Sequence, residues 1–526
     1  MTEASRLRLQ GISKSYGSLR ANDKIDFDLK PGSIHAVLGE NGAGKSTLMK
    51  LIFGLLQADE GDMFFDGRRV SWQSPEQARA AGIAMVFQHF ALFESLSVAE
   101  NVWLGLAKTW TLPAVSEALR ELGQHYGLVV DPNAMVHRLS VGERQRVEIA
   151  RGLLAKPRVM ILDEPTSVLA PQAARALFTM LRTLASEGCS IIYISHKLHE
   201  IRELCDECTV LRHGKVTGRV DPRQCNDEQL SALMIGNAPP PLVRASLSLS
   251  EVILKVENFT VPALDDSSEH LNDVNLSLMS GEILGIAGVS GNGQGLLLDA
   301  LSGEWCDGTR RERQVKGAIR FQGQAIEAFG VKQRRRLGIM AVPAERLGRA
   351  SVPELSLADN MFLLDQGNDW RIDRPRLRRA AASVIEAQSV KALGPQALAS
   401  DLSGGNLQKF IMGRALQAEP QVLLVSQPTW GVDVGASAQI RQQLLAHRDA
   451  GSAILVISEE LDELFQIADR IQVMYAGKLS PAIARQDASV ELIGQWMGGA
   501  WSADSQSSEN VLMGAAALES QSSLGA

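Results

Sequence analysis

A segment that returns within the same chain constrains folding more tightly than any composition, because whatever the first copy becomes the second must become as well. Pro31-Gly32-Ser33-Ile34-His35-Ala36-Val37-Leu38-Gly39 returns as Ser280-Gly281-Glu282-Ile283-Leu284-Gly285-Ile286-Ala287-Gly288, 249 positions later. Leu139-Ser140-Val141-Gly142 returns as Leu402-Ser403-Gly404-Gly405, Glu164-Pro165-Thr166 as Gln427-Pro428-Thr429, and Ile194-Ser195-His196 as Ile457-Ser458-Glu459, each 263 positions on. Landmarks repeated in one order at nearly constant spacing require two copies of one domain, and 526 residues are enough for both. The copies are expected at residues 5–240 and 251–500. Pro239-Pro240-Pro241 and the small polar residues after them mark 241–250 as a linker. Residues 501–526, rich in Ser, Ala, Gln and Gly, read as a mobile tail, and Val511-Leu512-Met513 within it as part of that tail rather than a docking segment.

Within each copy short β-branched runs, such as Ile34 to Leu38, Val159 to Leu162 and Ile191 to Ile194, alternate with longer segments of helical period. That alternation predicts an α/β fold with a mostly parallel core sheet. Charged residues at 21% and hydrophobic residues at 45% exclude a disordered chain. A formal charge of −7 provides no field for nucleic acid, and the local basic runs Arg310, Arg311, Arg313 and Lys332, Arg334, Arg335, Arg336 read as solvated surface. No run of about 18 apolar residues could span a bilayer and the start lacks a secretory core, so a cytosolic chain is expected. Cys205 and Cys208 form a CxxC, but Cys189, Cys225 and Cys306 supply no second ligand pair, so all five cysteines read as small packing residues.

Gly39-Glu40-Asn41-Gly42-Ala43-Gly44-Lys45-Ser46 fits G-x-x-x-x-G-K-[ST] between the strand ending at Leu38 and the helical run Thr47 to Phe53. Its glycines let backbone N–H groups turn inward around phosphate oxygens, Lys45 reaches the β- and γ-phosphates, and the Ser46 hydroxyl ligates Mg²⁺. Phosphate binding is thus expected from Gly39, Glu40, Asn41, Gly42, Ala43, Gly44, Lys45, Ser46 and Thr47. Val159-Met160-Ile161-Leu162 delivers Asp163 and Glu164 to the carboxyl edge of the sheet, Asp163 to hold Mg²⁺ and Glu164 to orient or deprotonate the attacking water.

Together with Leu139-Ser140-Val141-Gly142-Glu143-Arg144-Gln145, these motifs resemble the signature of ABC transporter ATPases, and the resemblance covers both copies. It implies two tandem P-loop nucleotide-binding domains, each with a mostly parallel core sheet, an antiparallel β part and a helical subdomain. It further implies that Tyr16 stacks on adenine, that Gln88 touches Mg²⁺ and links to a membrane subunit, and that His196 contacts the γ-phosphate.

The second copy has lost these chemical groups. Gln294 and Gly295 stand where Lys45 and Ser46 do, Ser426-Gln427 replaces Asp163-Glu164, Glu459 replaces His196, and Pro343-Ala344-Glu345-Arg346 stands near the place of Gln88. Yet this copy carries the fuller signature, Leu402-Ser403-Gly404-Gly405-Asn406, and has Asp433 where the first has Ala170. Domains of this family pack head to tail, so the resemblance implies one intact site in which Lys45, Asp163, Glu164 and His196 meet Ser403, Gly404, Gly405 and Asp433. The other site would pair the altered residues with one another.

The tandem organisation and the forms of the two signatures look like the ATPase subunit of bacterial simple-sugar or nucleoside importers, closer to the nucleoside systems. This implies ATP and Mg²⁺ as ligands and partnership with two permease subunits and an extracytoplasmic solute-binding protein. It places the chain at the cytoplasmic face of the inner membrane, with no nucleic acid partner. Permease contact is expected at Gln88 to Gly105, with Phe90, Phe93 and Trp103, plain core packing being the alternative for these aromatics. The alternative is a soluble tandem ABC ATPase acting on ribosomes or nucleic acid, against which the short Pro-rich linker argues.

Overall fold

The computed structural model describes residues 5–501 except 18, 41, 88–89, 107–108, 168, 196, 236–241, 243, 245–250, 264–268, 305–314 and 365–371. The expected linker is therefore described only at Leu242 and Arg244 and the expected tail only at Trp501, while Cys306, Arg310, Arg311 and Arg313 lie outside the described residues. The chain divides into two compact units, Met1–Pro240 and Pro241–Ala526.

In the first unit a six-stranded sheet runs in the order Lys215–Val220, Glu207–Arg212, Ile34–Gly39, Ser190–Ile194, Val159–Asp163, Ile83–Val86. All pairings are parallel except that of the Lys215–Val220 edge. Ile34–Gly39 and Ser190–Ile194 are buried along their whole length, which is why they read as mostly apolar runs without alternation: both faces of a parallel sheet are covered. A separate antiparallel sheet, ordered Leu19–Leu29, Leu7–Tyr16, Glu60–Phe65, Arg68–Val70, packs Leu7, Leu9, Phe27 and Phe65 into a core shared with Val37, Ile161 and Ile192. His35 is a buried polar group in this layer, with Nε2 2.8 Å from the Thr209 hydroxyl and its ring tilted on Phe27 at 4.6 Å. The helices Val98–Leu104, Leu112–Tyr126 and Val141–Leu154 form its helical part.

The second unit repeats the plan. Its parallel strands run Ile339–Val342, Val422–Ser426, Ala453–Ser458, Ile283–Ala287, Arg470–Tyr475, and its antiparallel sheet is built on Val252–Val261 paired with Leu271–Met279 and Lys316–Phe321. The helices Leu357–Phe362, Arg374–Ala387 and Gly404–Leu416 form the helical part. The α/β expectation therefore holds in both copies.

The expectation of a solvated basic run holds at Lys332 and Arg336, which are exposed, but not at Arg335, half-buried with its guanidinium donating to the Leu363 carbonyl at 2.6 Å, nor at Arg334. Arg334 is not solvated surface: it is 1% exposed, and its guanidinium donates to the carbonyls of Ala300 (2.6 Å), Leu301 (2.7 Å), Ile326 (2.9 Å) and Phe329 (2.9 Å). Ala300 and Leu301 lie in the last turn of the helix Gln294–Ser302, whose final carbonyls have no intrahelical donor. A planar guanidinium can satisfy several such carbonyls at once, so a charge run hid a structural residue.

Cys189, Cys205 and Cys208 are free and buried, and burial pushes the Cys189 and Cys208 thiols up to about 12. Cys205 ends the helix Leu198–Leu204 and Cys208 lies in the next strand, the packing role expected of them. Among the described residues no helix is long and apolar enough to cross a membrane.

Candidate active site

The phosphate loop leaves the sheet at Gly39 and turns through Gly42 (φ 82°) and Gly44 (φ 105°) into the helix Lys45–Ile52. A Cβ at Gly44 would run into the Ala21 carbonyl, so only glycine fits that turn. Lys45 folds back under the loop: 8% exposed, its Nζ donates to Gly39 O at 2.7 Å and Glu40 O at 3.0 Å. Burial pulls the ammonium below its ordinary range, and the Glu164, Asp163 and Glu40 carboxylates pull it back. The structure thus gathers Lys45, Asp163 and Glu164 into one electrostatic group. Ser46 is exposed and Thr47 half-buried at the helix start.

Asp163 ends its strand opposite Ile194, and Glu164 follows with φ 49°, its N–H donating to Ile194 O at 2.9 Å. A non-glycine residue in that left-handed conformation costs on the order of 1–2 kcal/mol, so the surroundings must enforce it. They include a cluster that sequence reasoning missed. Glu200, 2% exposed, accepts hydrogen bonds from Thr166 (2.7 Å and 2.8 Å), Tyr193 (2.7 Å) and Ser195 (3.0 Å), tying the turn after Glu164 to the end of the neighbouring strand. Glu463 does the same in the second unit, accepting from Thr429 at 2.7 Å and Ser458 at 2.8 Å. The signal was available: Glu200 and Glu463 are 263 positions apart, the spacing of the other landmarks.

The second loop keeps the backbone without the charges. Gly291 (φ 85°) and Gly293 (φ 108°) repeat the turn, and Gln427 (φ 52°), bonded through its N–H to Ile457 O at 2.8 Å, repeats the conformation of Glu164. Gln294 closes the loop on itself: its Nε2 donates to Val289 O at 2.8 Å and its Oε1 accepts from Asn292 N at 3.0 Å. A loop N–H is therefore already satisfied by a neutral amide.

The two signatures also differ in kind. Ser140 caps the helix Val141–Leu154 in a reciprocal box with Glu143, whose carboxylate accepts from Ser140 N (2.9 Å) and Ser140 Oγ (2.7 Å), so this helix N-terminus carries its own anion. Ser403 makes no side-chain cap bond to the helix Gly404–Leu416, and Asn406 donates to its hydroxyl at 2.8 Å instead. Asp433 caps the helix Val434–Asp449 through Ala436 N at 2.7 Å, a bond Ala170 cannot make.

Tyr16 is 47% exposed at the end of its strand, open to a stacking partner. Asn41, Gln88 and His196 lie outside the described residues. In the segment expected to meet a permease, Phe93 (61%) and Trp103 (40%) are exposed and Phe90 is half-buried. Among the described residues no three His, Cys, Asp or Glu side chains gather to hold a metal. The Ser46 hydroxyl and Asp163 carboxylate are hard oxygen donors suited to Mg²⁺, which commonly takes its remaining ligands from phosphate and water.

Comparison with known proteins agrees with this architecture. The ABC transporter family model matches residues 22–167 and 271–430. The chain is 38% identical to the "Glucose import ATP-binding protein TsgD13" of Haloferax volcanii over 95% of its length and 96% of the relative's. It is 35% identical to the "Nucleoside import ATP-binding protein NupA" of Lactococcus lactis, covering 95% and 99%, and 36% identical to the "Ribose import ATP-binding protein RbsA 1" of Rubrobacter xylanophilus, covering 93% and 97%. Among solved structures, the complex of an archaeal ribosomal stalk protein with the ribosome recycling factor aABCE1 matches with a TM-score of 0.62 over 90% of each chain at 19% identity, a likeness of fold alone.

Proposed function

The chain belongs to the ABC transporter family, and from that premise we propose that it is the ATP-hydrolysing subunit of an importer for a nucleoside or simple sugar, working at a single competent site. The observation that carries this reading is the split between the copies. Lys45, Asp163 and Glu164 form one electrostatic group in the first, while Gln294 closes the corresponding loop of the second.

In this reading the first loop holds the triphosphate with its backbone N–H groups and Lys45, and Tyr16 stacks on the base. Ser403, Gly404 and Gly405 approach the γ-phosphate from the second copy, with Asp433 beside them. Glu164 orients the attacking water and accepts its proton, and His196 steadies the γ-phosphate. Mg²⁺, when bound at Ser46, Asp163 and Gln88, neutralises charge that develops on the phosphate oxygens. ATP draws the two copies together and hydrolysis releases them. Two permease subunits, fed by an extracytoplasmic binding protein and contacted through Phe93 and Trp103 at the cytoplasmic face of the membrane, convert that cycle into alternating access.

Relatives named for glucose, nucleoside, ribose and guanosine import lie within 35–38% identity, so identity does not rank the solutes. The test is uptake of labelled nucleosides, ribose and glucose in cells carrying the chain or its Glu164→Gln form. Uptake of one solute lost only in the variant is the expected result. Equal uptake of every solute by both would return weight to a soluble ABC ATPase.

A further inference from the structure

The helix Val141–Leu154 carries Arg144, Glu148 and Arg151 at spacings of four and three, one polar stripe that the mechanism above does not use. The stripe grips the segment after the strand Ile83–Val86. Glu148 is 2% exposed; its carboxylate accepts from Ala91 N at 2.8 Å and pairs with Arg151. Arg151 in turn donates to Ala91 O at 3.0 Å, so one ion pair holds both main-chain groups of an exposed residue. Arg144 pairs with Glu94 at 2.8 Å. Gly105, at the end of the helix Val98–Leu104, leaves the room Arg151 needs, since a Cβ there would lie 3.1 Å from its Cδ. Between Ala91 and Glu94 stands Phe93, exposed at 61%.

The second unit shows that the fold does not need this carboxylate. Leu407, Ile411 and Arg414 stand 263 positions on, in the places of Arg144, Glu148 and Arg151, and Leu407 and Ile411 are buried apolar residues. Arg414 still donates to the Ala350 carbonyl at 2.6 Å, but the Ala350 N–H turns to the Glu345 carbonyl at 3.1 Å. The turn itself is held alike in both units: Asn101 Oδ1 accepts from Phe93 N at 2.7 Å, and Asn360 Oδ1 from Val352 N at 2.9 Å. Burial pushes the Glu148 carboxyl up, with Arg151 and the Ala91 N–H drawing it back. A buried ion pair is a poor source of stability beside apolar packing, so a pair present in one copy and replaced by isoleucine in the other points to a task besides packing.

We infer that Glu148, with Arg151, is a positioning residue for coupling: it fastens the main chain behind Phe93 to the helix Val141–Leu154, so that a membrane partner pressing on the exposed aromatic moves the helix as well. This rests on the importer reading above, in which Phe93 and Trp103 meet a permease subunit. Charge-assisted bonds to the main chain carry displacement whatever side chain stands at position 91, and both charges sit one turn apart on the same helix. The fastening belongs to the copy that carries Lys45 and Glu164, so the partner's push reaches the unit that holds the competent loop.

The test uses the full-length chain. Glu148→Ile installs the residue that the second unit packs beside its own arginine, and Glu148→Gln keeps an acceptor for the Ala91 N–H without the charge. Each is compared with the parent for ATP turnover of the purified chain, for uptake of labelled nucleosides, ribose and glucose in cells, and for hydrogen exchange in peptides spanning 90–97. We expect Glu148→Ile to keep turnover within about twofold of the parent. Its uptake should fall about tenfold and exchange in 90–97 should quicken about tenfold, the rest of the first unit exchanging as before, with Glu148→Gln in between. Unchanged uptake or unchanged exchange in Glu148→Ile would overturn the proposal. A fall in turnover matching the fall in uptake, faster exchange throughout the first unit, or failure to fold would overturn it as well, by assigning Glu148 to the chemistry or the fold. Glu164→Gln separates the two levels. If it abolishes uptake while Glu148→Ile retains it, Glu148 alone is misassigned; if Glu164→Gln retains uptake of every solute, the importer reading has failed and the coupling role with it.

Discussion

Lys45 and Gln294 occupy one position in two loops of nearly the same backbone, and they show what a single side chain decides. Lys45 is buried against loop carbonyls and tuned by Glu164, Asp163 and Glu40; Gln294 satisfies its loop with both ends of an amide. Lys45→Gln should therefore fold as well as the parent, with a melting temperature within about 2 °C, yet lose ATP turnover. Calorimetry and phosphate release on the same sample separate the two effects. Gln294→Ala should leave turnover within about threefold of the parent, and a loss equal to that of Lys45→Ala would place chemistry in the second loop. Glu164→Gln should retain ATP binding while phosphate release falls about 10²- to 10⁴-fold, the usual worth of a positioned general base. These residues were legible because the chemistry demands particular types at particular spacings. Arg334 was not, since a basic residue in sequence carries no mark of whether it meets water or a helix end.

At the scale of elements, the strand ends and the turns after them set the geometry, and the Thr166–Glu200 and Thr429–Glu463 ties hold those turns. Thr166→Val and Thr429→Val should each destabilise their own unit by about 1–3 kcal/mol, because a buried carboxylate loses a donor. Only Thr166→Val should also slow turnover, a contrast that urea unfolding and steady-state assays together would detect. The strand Ile34–Gly39 carries a second test. Burial lowers the His35 pKa to about 4, so the folded unit keeps the ring neutral while an unfolded chain protonates it near 6.5. The unfolded state then binds the extra proton, and this contribution, about 3 kcal/mol at most, is present above pH 6.5 and lost as the pH falls towards 4. His35→Gln should flatten the decline in stability between pH 7 and pH 5. Strands and helices were readable from their periods, and the parallel sheet from its mostly apolar runs without alternation. The tertiary ties were not, because Thr166, Tyr193, Ser195 and Glu200 converge only after the sheet has brought two strand ends together.

For the whole molecule, the duplication made the tandem α/β architecture legible in the sequence, and the sorting of intact and altered motifs is what supports the proposed single-site reading. The corresponding prediction is stoichiometric: the Glu164→Gln chain should trap close to one ATP per chain, and two would mean that the second loop closes on nucleotide as firmly as the first. The persistence of the left-handed conformation at Gln427 and of the turns at Gly291 and Gly293 has a further consequence. The second copy lacks the charged groups of the first but keeps the turns that hold them, so on the single-site proposal a handful of side chains on a retained frame separates the two copies. On that proposal the second copy remains a template into which the missing groups could be grafted.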